Sequence, residues 1–347
     1  MKTLQRRLPA EFEKHKAILL SFPREGNDWP GKYQAVQWAF VEFIKKVTLF
    51  ENLILNVGSE QHRDKVEAML KKAHIDTQRI DYIFFTPNRN WMRDSGPLIV
   101  KHEDGTNEAV CFGFNGWAKY TNYRKDRQVP EAVAGYLKIP STRGMFKHRH
   151  VVLEGGAIET NGKGTLITSE ECLLDPKIQV RNPGFMREDY GQVFSDYLGI
   201  SNVIWLGKGI EGDDTHGHVD DLCRFVNSGT VVACCEPDKN DSNHNHLEEN
   251  IRRLKNARLE DGKPLNIAEL PMPSRLDFEN MRLPASYANF LILNRAVLVP
   301  LFNDKHDYKA VGVLTDLFPE REVIGISAID LIWGLGTLHC LSREIPL

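Results

Sequence analysis

Segments with helical periodicity alternate with short apolar strand-like runs along almost the whole of this chain, and that alternation limits it to an α/β fold. Tyr33 to Phe50 predicts a helix and Leu53 to Val57 a strand. Gln61 to Ala73, with Val66, Leu70 and Ala73 on one face, predicts a helix, and Ile80 to Thr86 a strand. Tyr190, Val193, Phe194, Tyr197 and Leu198 line one helical face. Gly199 ends that helix, and Asn202 to Leu206 forms the next strand. Asp307 to Phe318 predicts a helix stopped by Pro319, followed by a strand over Glu322 to Ile326. Further strands are expected at His150 to Leu153, Thr165 to Thr168, Leu222 to Val226, Val231 to Cys235, Phe290 to Leu293 and Val297 to Pro300. Several strands run directly into polar clusters, at a loose spacing of roughly sixty residues or more, too irregular for a solenoid. Equivalent modules that aim polar residues at one place are the expectation, since sites are commonly built from loops that follow strands. No linker divides the chain, so residues 1–347 read as one domain.

The net charge of −3 supplies no basic field, which argues against nucleic acid as a partner. Met1 to Lys14 is polar, without the apolar centre of a signal peptide, and no run approaches the length that spans a bilayer. A cytoplasmic protein without a membrane partner is expected. Cys111, Cys172, Cys223, Cys234 and Cys235 read as small buried apolar residues.

Four clusters carry chemistry. In Asn90-Trp91-Met92-Arg93-Asp94-Ser95-Gly96-Pro97, Asp94 beside Trp91 suits a planar cation, the ring stacking and the carboxylate accepting N–H bonds. Glu154 follows an apolar run and precedes Gly155-Gly156, which allow close approach. Asp213 to Asp221 packs four carboxylates and two imidazoles into nine residues, too much charge for a purely structural segment. There, His216, His218 and Asp220 or Asp221 form a zinc-type set, to which His148, His150, His244 and His246 could add. Equally, His218 reads as a general acid/base with Asp220 binding a cation. A strand continuing from Gly217 into Val226 would put His216, His218 and Asp220 on one side, so alternation leaves both readings open. The last cluster, Trp333 to Ser342, brings Cys340 behind a Gly-rich approach as a thiol nucleophile.

Taken in order, these clusters resemble the agmatine deiminase and bacterial peptidylarginine deiminase-like family of guanidino-group-modifying enzymes. Leu8-Pro9-Ala10-Glu11-Phe12-Glu13, Phe114-Asn115-Gly116-Trp117, Glu170-Glu171-Cys172-Leu173-Leu174 and Asp213-Asp214-Thr215 extend the resemblance over almost the whole chain. It implies a five-module α/β propeller, the pentein fold, with pseudo-five-fold symmetry. It implies Cys340 as nucleophile, His218 as acid/base, Glu154 as the partner of that histidine, and Asp94 and Asp220 as the guanidinium clamp. Trp91, Trp117 and Asp214 would lie near the substrate. The implied reaction converts agmatine to N-carbamoylputrescine and ammonia through an S-alkylthiouronium on Cys340, with no cofactor or metal, in a small homo-oligomer.

The chain departs from the family pattern at three places. Leu335 and Thr337 stand where the family has Gly and Asn in G-G-G-N-x-H-C. His216 stands where it has Asp or Asn, and Ala118 to Tyr123 lacks a Gly-rich stretch. These changes spare the chemical core and touch recognition of the rest of the substrate, so free or peptidyl arginine stays open. The other readings are a metal-dependent hydrolase on His216, His218 and Asp220, a non-catalytic guanidine-binding protein, and an amidinotransferase that uses an amine in place of water.

Overall fold

The structure, a computed structural model, describes residues 6–24 and 28–347; Met1 to Gln5, part of the polar start, lie outside the described residues. The chain is α/β. Among the described residues it forms five sheets of three or four strands and two short hairpins. In each of the five an antiparallel pair adjoins a parallel pair. Ser342–Pro346 lies antiparallel to His15–Ser21, which runs parallel to Leu53–Val57, and that strand to Ile80–Phe84. Leu98–His102 and Asn107–Cys111 form the next antiparallel pair, extended in parallel by Ser141–Arg143. The same order recurs in Glu159–Thr160, Thr165–Ser169 and Asn202–Leu206. It recurs again in Cys223–Asn227, Thr230–Cys235 and Asn266–Pro271, and in Leu291–Ile292, Ala296–Leu301 and Glu322–Ser327.

A helix makes a parallel crossover in each sheet, Tyr33–Phe50, Val129–Leu137, Arg187–Leu198, His244–Asn256 and Asp307–Leu317, and Glu60–Lys72 makes a second one in the first sheet. The expected helices are present within a residue or two at their ends, except that the helix whose face begins at Tyr190 starts three residues earlier, at Arg187. Tyr33–Phe50 buries Val36, Phe40, Phe43, Ile44 and Val47 along one stripe against the strands. The middle strand Thr230–Cys235 is almost wholly buried, as a strand covered on both faces must be.

Five one-turn helical segments position the site: Met92–Ser95, Gly155–Ala157, Val219–Asp221, Tyr287–Asn289 and Leu338–Leu341. Each precedes the first strand of an antiparallel pair. Each packs on the next in that order, and Leu338–Leu341 packs back on Met92–Ser95.

Two local expectations are corrected here. His150 to Leu153 is not a strand; only Arg149–His150 is, paired with Met145–Phe146. The Asn182 amide takes over the ladder at Val152, accepting from its N–H at 2.9 Å and donating to its carbonyl at 2.7 Å. Gly217 to Leu222 is not extended either. The Asp213 carboxylate accepts the N–H groups of Thr215, Gly217 and His218, and Gly217 has φ +90°, so the chain curls into the turn Val219–Asp221. Cys340 sits in the helical turn Leu338–Leu341.

Candidate active site

Cys340, His218, Glu154, Asp94 and Asp220 are all buried and converge where the five turns meet. Asp94 Oδ2 accepts from Trp117 Nε1 at 2.9 Å and Oδ1 from the Gly156 N–H at 3.0 Å. His218 Nδ1 lies 3.8 Å from Asp94 Oδ1 and 3.9 Å from Asp220 Oδ1, and its Nε2 lies 3.9 Å from Glu154 Oε2. Neither imidazole nitrogen of His218, nor Asp220 Oδ1, has a hydrogen-bond partner, although all three atoms are buried. Unpaired buried polar atoms are costly. His218 Nδ1 and Asp220 Oδ1 lie across a site rimmed by Asp94 and Asp220, while Nε2 is turned to Glu154; the unpaired Asp220 oxygen is an acceptor that a cation rich in N–H donors would satisfy.

The charges are set by the surroundings. Burial pushes Asp94 up, to about 6, reinforced by Asp220 and Glu154 and opposed by His218. Burial works against ionisation of Glu154, but Arg181, with Nε at 3.1 Å, and His218 bring it down to about 2. Burial would discharge His218, yet Asp94, the Cys172 side chain and Glu154 outweigh it and raise the imidazole well above its ordinary value. Asp220 Oδ2 lies 2.6 Å from His339 Nδ1, and that contact overcomes burial to keep the carboxylate below its ordinary range. His339 Nε2 in turn lies 2.7 Å from Glu11 Oε2, and Arg93 and Arg224 also pair with Glu11. The Cys340 thiol is raised well above the ordinary value by burial and by Asp220, Asp221 and Asp94. Its S–H donates to Asp220 Oδ2 at 3.5 Å.

Two glycines are required by contact. A Cβ on Gly156 would lie 2.5 Å from His218 Nδ1, and one on Gly336 would lie 2.7 Å from the Trp91 ring and 3.1 Å from Cys340 Cβ. Trp91 and Trp117 therefore both border the site, the first beside the approach to Cys340 and the second on Asp94. Asp214 stands further out, on the aromatic wall, accepting from the Tyr120 hydroxyl; Tyr120 packs edge-on to Trp117. Beyond that wall a cavity of about 770 Å³ is lined by Arg89, Lys119, Tyr120, Phe278 and Trp333 among others.

The zinc-type set is not assembled. His216 has φ +65° and turns to Asp175, its Nε2 lying 3.0 Å from Oδ2. Among the described residues, no three donor side chains within 4.8 Å of one another include His216, His148, His150, His244 or His246. The departures at 216 and 335 share a backbone reason: both positions are left-handed, Leu335 with φ +71°, where Gly or Asn fits most easily. Arg181, His339, Glu11 and Asn289 have site contacts that the sequence clusters did not reveal. The signal for Asn289 was present, a polar residue immediately ahead of the apolar run Phe290 to Leu293.

The model of the Porphyromonas-type peptidyl-arginine deiminase family matches residues 7–346. An agmatine deiminase of Pseudomonas aeruginosa (strain LESB58) is 30% identical, over 98% of this chain and 95% of its own. The solved agmatine deiminase of Enterococcus faecalis superposes with a TM-score of 0.88 at 27% identity, covering 99% of this chain and 96% of that one. An amidinotransferase from Microseira wollei and a DDAH from Pseudomonas aeruginosa match at 11% and 12% identity, with TM-scores of 0.54 and 0.52, a likeness of fold alone.

Proposed function

The chain belongs to the Porphyromonas-type peptidyl-arginine deiminase family, and from that membership and the site geometry we propose that it is a hydrolase of guanidinium C–N bonds, acting on agmatine to give N-carbamoylputrescine and ammonia. The observation that carries the reading is the pair of buried carboxylates Asp94 and Asp220, the second with an unpartnered Oδ1, on either side of His218 Nδ1 and beside Cys340.

Asp94 and Asp220 hold the guanidinium in plane through paired N–H···O bonds and draw positive charge toward its central carbon. Entry of that cation among three carboxyl groups offsets their effect on Cys340, and the thiol proton leaves to water. The thiolate attacks the central carbon. Protonated His218 gives its proton to the departing nitrogen, the C–N bond breaks, and ammonia leaves behind a cationic thiouronium on Cys340. Neutral His218 then takes a proton from water, and the hydroxide adds to the same carbon. The C–S bond breaks as the new C=O forms, releasing the ureido product, the thiolate and one proton, which ammonia takes up. Glu154, held by Arg181, orients His218 and favours its charged form. None of these steps requires a cofactor.

The same reading makes residues 1–347 one domain and a five-module propeller. The recurring antiparallel–parallel sheet and the cyclic packing of the five turns support it. A cytoplasmic location is supported by six free cysteines, as expected of a reducing compartment; no helix among the described residues is long and apolar enough to cross a membrane. A second reading, an arginyl substrate larger than agmatine, is favoured by the cavity of about 770 Å³ beyond the aromatic wall.

The test offers purified protein agmatine, arginine and a blocked arginyl peptide in parallel, without added metal, and follows ammonia and ureido product. Turnover of agmatine that disappears in Cys340→Ala is expected. Preference for the peptide moves the assignment to the second reading, and a fully active Cys340→Ala enzyme overturns both.

A further inference from the structure

Four of the five turns around the site carry groups already given a part: Asp94, Glu154 with Gly156, His218 with Asp220, and Cys340. The fifth, Tyr287–Asn289, brings in Asn289, which is 1% exposed. Its Oδ1 accepts from the Thr337 hydroxyl at 2.8 Å, the His339 N–H at 3.1 Å and the Cys340 N–H at 3.3 Å. Three donors on one atom settle which end of the amide is oxygen. The other end, Nδ2, can only donate, and it lies 3.0 Å from Cys340 Sγ and 3.0 Å from Asp221 Oδ1.

We propose that Asn289 is a further catalytic residue, whose amide N–H donates to the Cys340 sulfur and stabilises the thiolate both before attack and when the C–S bond breaks. The proposal rests on the deiminase reading above. The charged groups set around Cys340 are Asp94, Asp220 and Asp221, with His218 beyond the first two and His339 on the same turn. Carboxylates oppose a thiolate, whereas an N–H donor favours it. Asn289 is held for that task from both sides: its oxygen is fixed by the backbone of the turn that carries Cys340, and Thr337 adds a third anchor. This gives Thr337 a function of its own in the approach to the nucleophile.

Asn289→Asp keeps an oxygen for the three donors but exchanges the N–H donor for a second oxygen and adds a carboxyl group; Asn289→Ala removes the amide without adding charge and is the decisive variant. Thr337→Val leaves Asn289 in place and loosens it. The measurement is alkylation of Cys340 by iodoacetamide as a function of pH, read at that residue by mass spectrometry, with no substrate present. In both Asn289 variants the pH of half-maximal alkylation should rise by about one unit or more, and kcat for agmatine should fall at least about tenfold with a smaller change in KM. Thr337→Val should shift the profile in the same direction by less, which keeps the test open should the Asn289 variants fold poorly. A wild-type alkylation profile in folded Asn289→Ala overturns the proposal, whatever the turnover. A shifted profile in a protein that hydrolyses no guanidine supports Asn289 as the thiolate donor and removes the deiminase reading instead.

Discussion

A methyl group at Gly156 would press on His218 Nδ1 at 2.5 Å and on Asp94 Oδ1 at 2.9 Å. Both are rigid, buried groups, so one of them must move. A displacement of about 1 Å in a reacting constellation costs about 100-fold; Gly156→Ala should therefore lower kcat/KM for agmatine by that order while leaving the far-UV CD spectrum intact. Steady-state kinetics showing wild-type kcat/KM would mean that His218 does not act at this position. Glu154 has a different vulnerability. It and Arg181 are both fully buried, and Glu154→Gln leaves the guanidinium without its counter-charge. Breaking a buried pair costs about 3–5 kcal/mol, so urea unfolding at neutral pH should show a loss of that order. The pH dependence follows from the sign. The folded Glu154 titrates at about 2, below its ordinary 4.5, so its contribution is complete above 4.5 and is lost as pH falls toward 2. The gap between wild type and Glu154→Gln should narrow over that acid range.

The elements themselves were largely legible in the sequence. Apolar periodicity found the crossover helices at Tyr33, Arg187 and Asp307 and most of the middle strands, because these must bury a stripe or both faces. A cap such as Ser59, whose side chain accepts the His62 N–H, can also be read from the chain; Ser59→Ala should cost about 0.5–1 kcal/mol, visible as a small drop in Tm. The elements that carry the chemistry were harder. Four of the five turns announced themselves as polar clusters, but the chain leading into two of them was misread as extended, at His150 to Leu153 and at Gly217. A side chain such as Asp213 or Asn182, binding backbone several residues away, decides those conformations, and periodicity does not register it. The fifth turn was missed because Asn266–Pro271 is half exposed and polar, and because the small hairpin Asp277–Phe278 with Met281–Arg282 intervenes before Asn289. The network behind Asp220, His339 to Glu11, joins residues far apart in sequence, so no local pattern could reveal it.

At the scale of the whole molecule the site, on the proposed reading, is a stored electrostatic cost that a bound substrate relieves. Asp94 titrates at about 6 in the fold against 3.8 as a free side chain, so its contribution to stability is complete below 3.8 and is lost as pH rises through 6. Above that pH the fold holds an ionised Asp94 that burial and its neighbours oppose, and a bound cation offsets the penalty. Agmatine should accordingly bind the ionised form and stabilise the protein by mass action, by about 2.7 kcal/mol at one hundred times Kd. Cys340→Ala is the variant in which to see this, because the clamp remains and turnover does not consume the ligand. Its Tm should rise with agmatine at pH 8, rise less near pH 6, and respond little at pH 4.5, where Asp94 is protonated. Putrescine, which lacks the planar guanidinium, should shift Tm much less at every pH. An agmatine shift of equal size from pH 4.5 to 8 would show that Asp94 is not the group that receives the cation, and the clamp would then have to be reassigned.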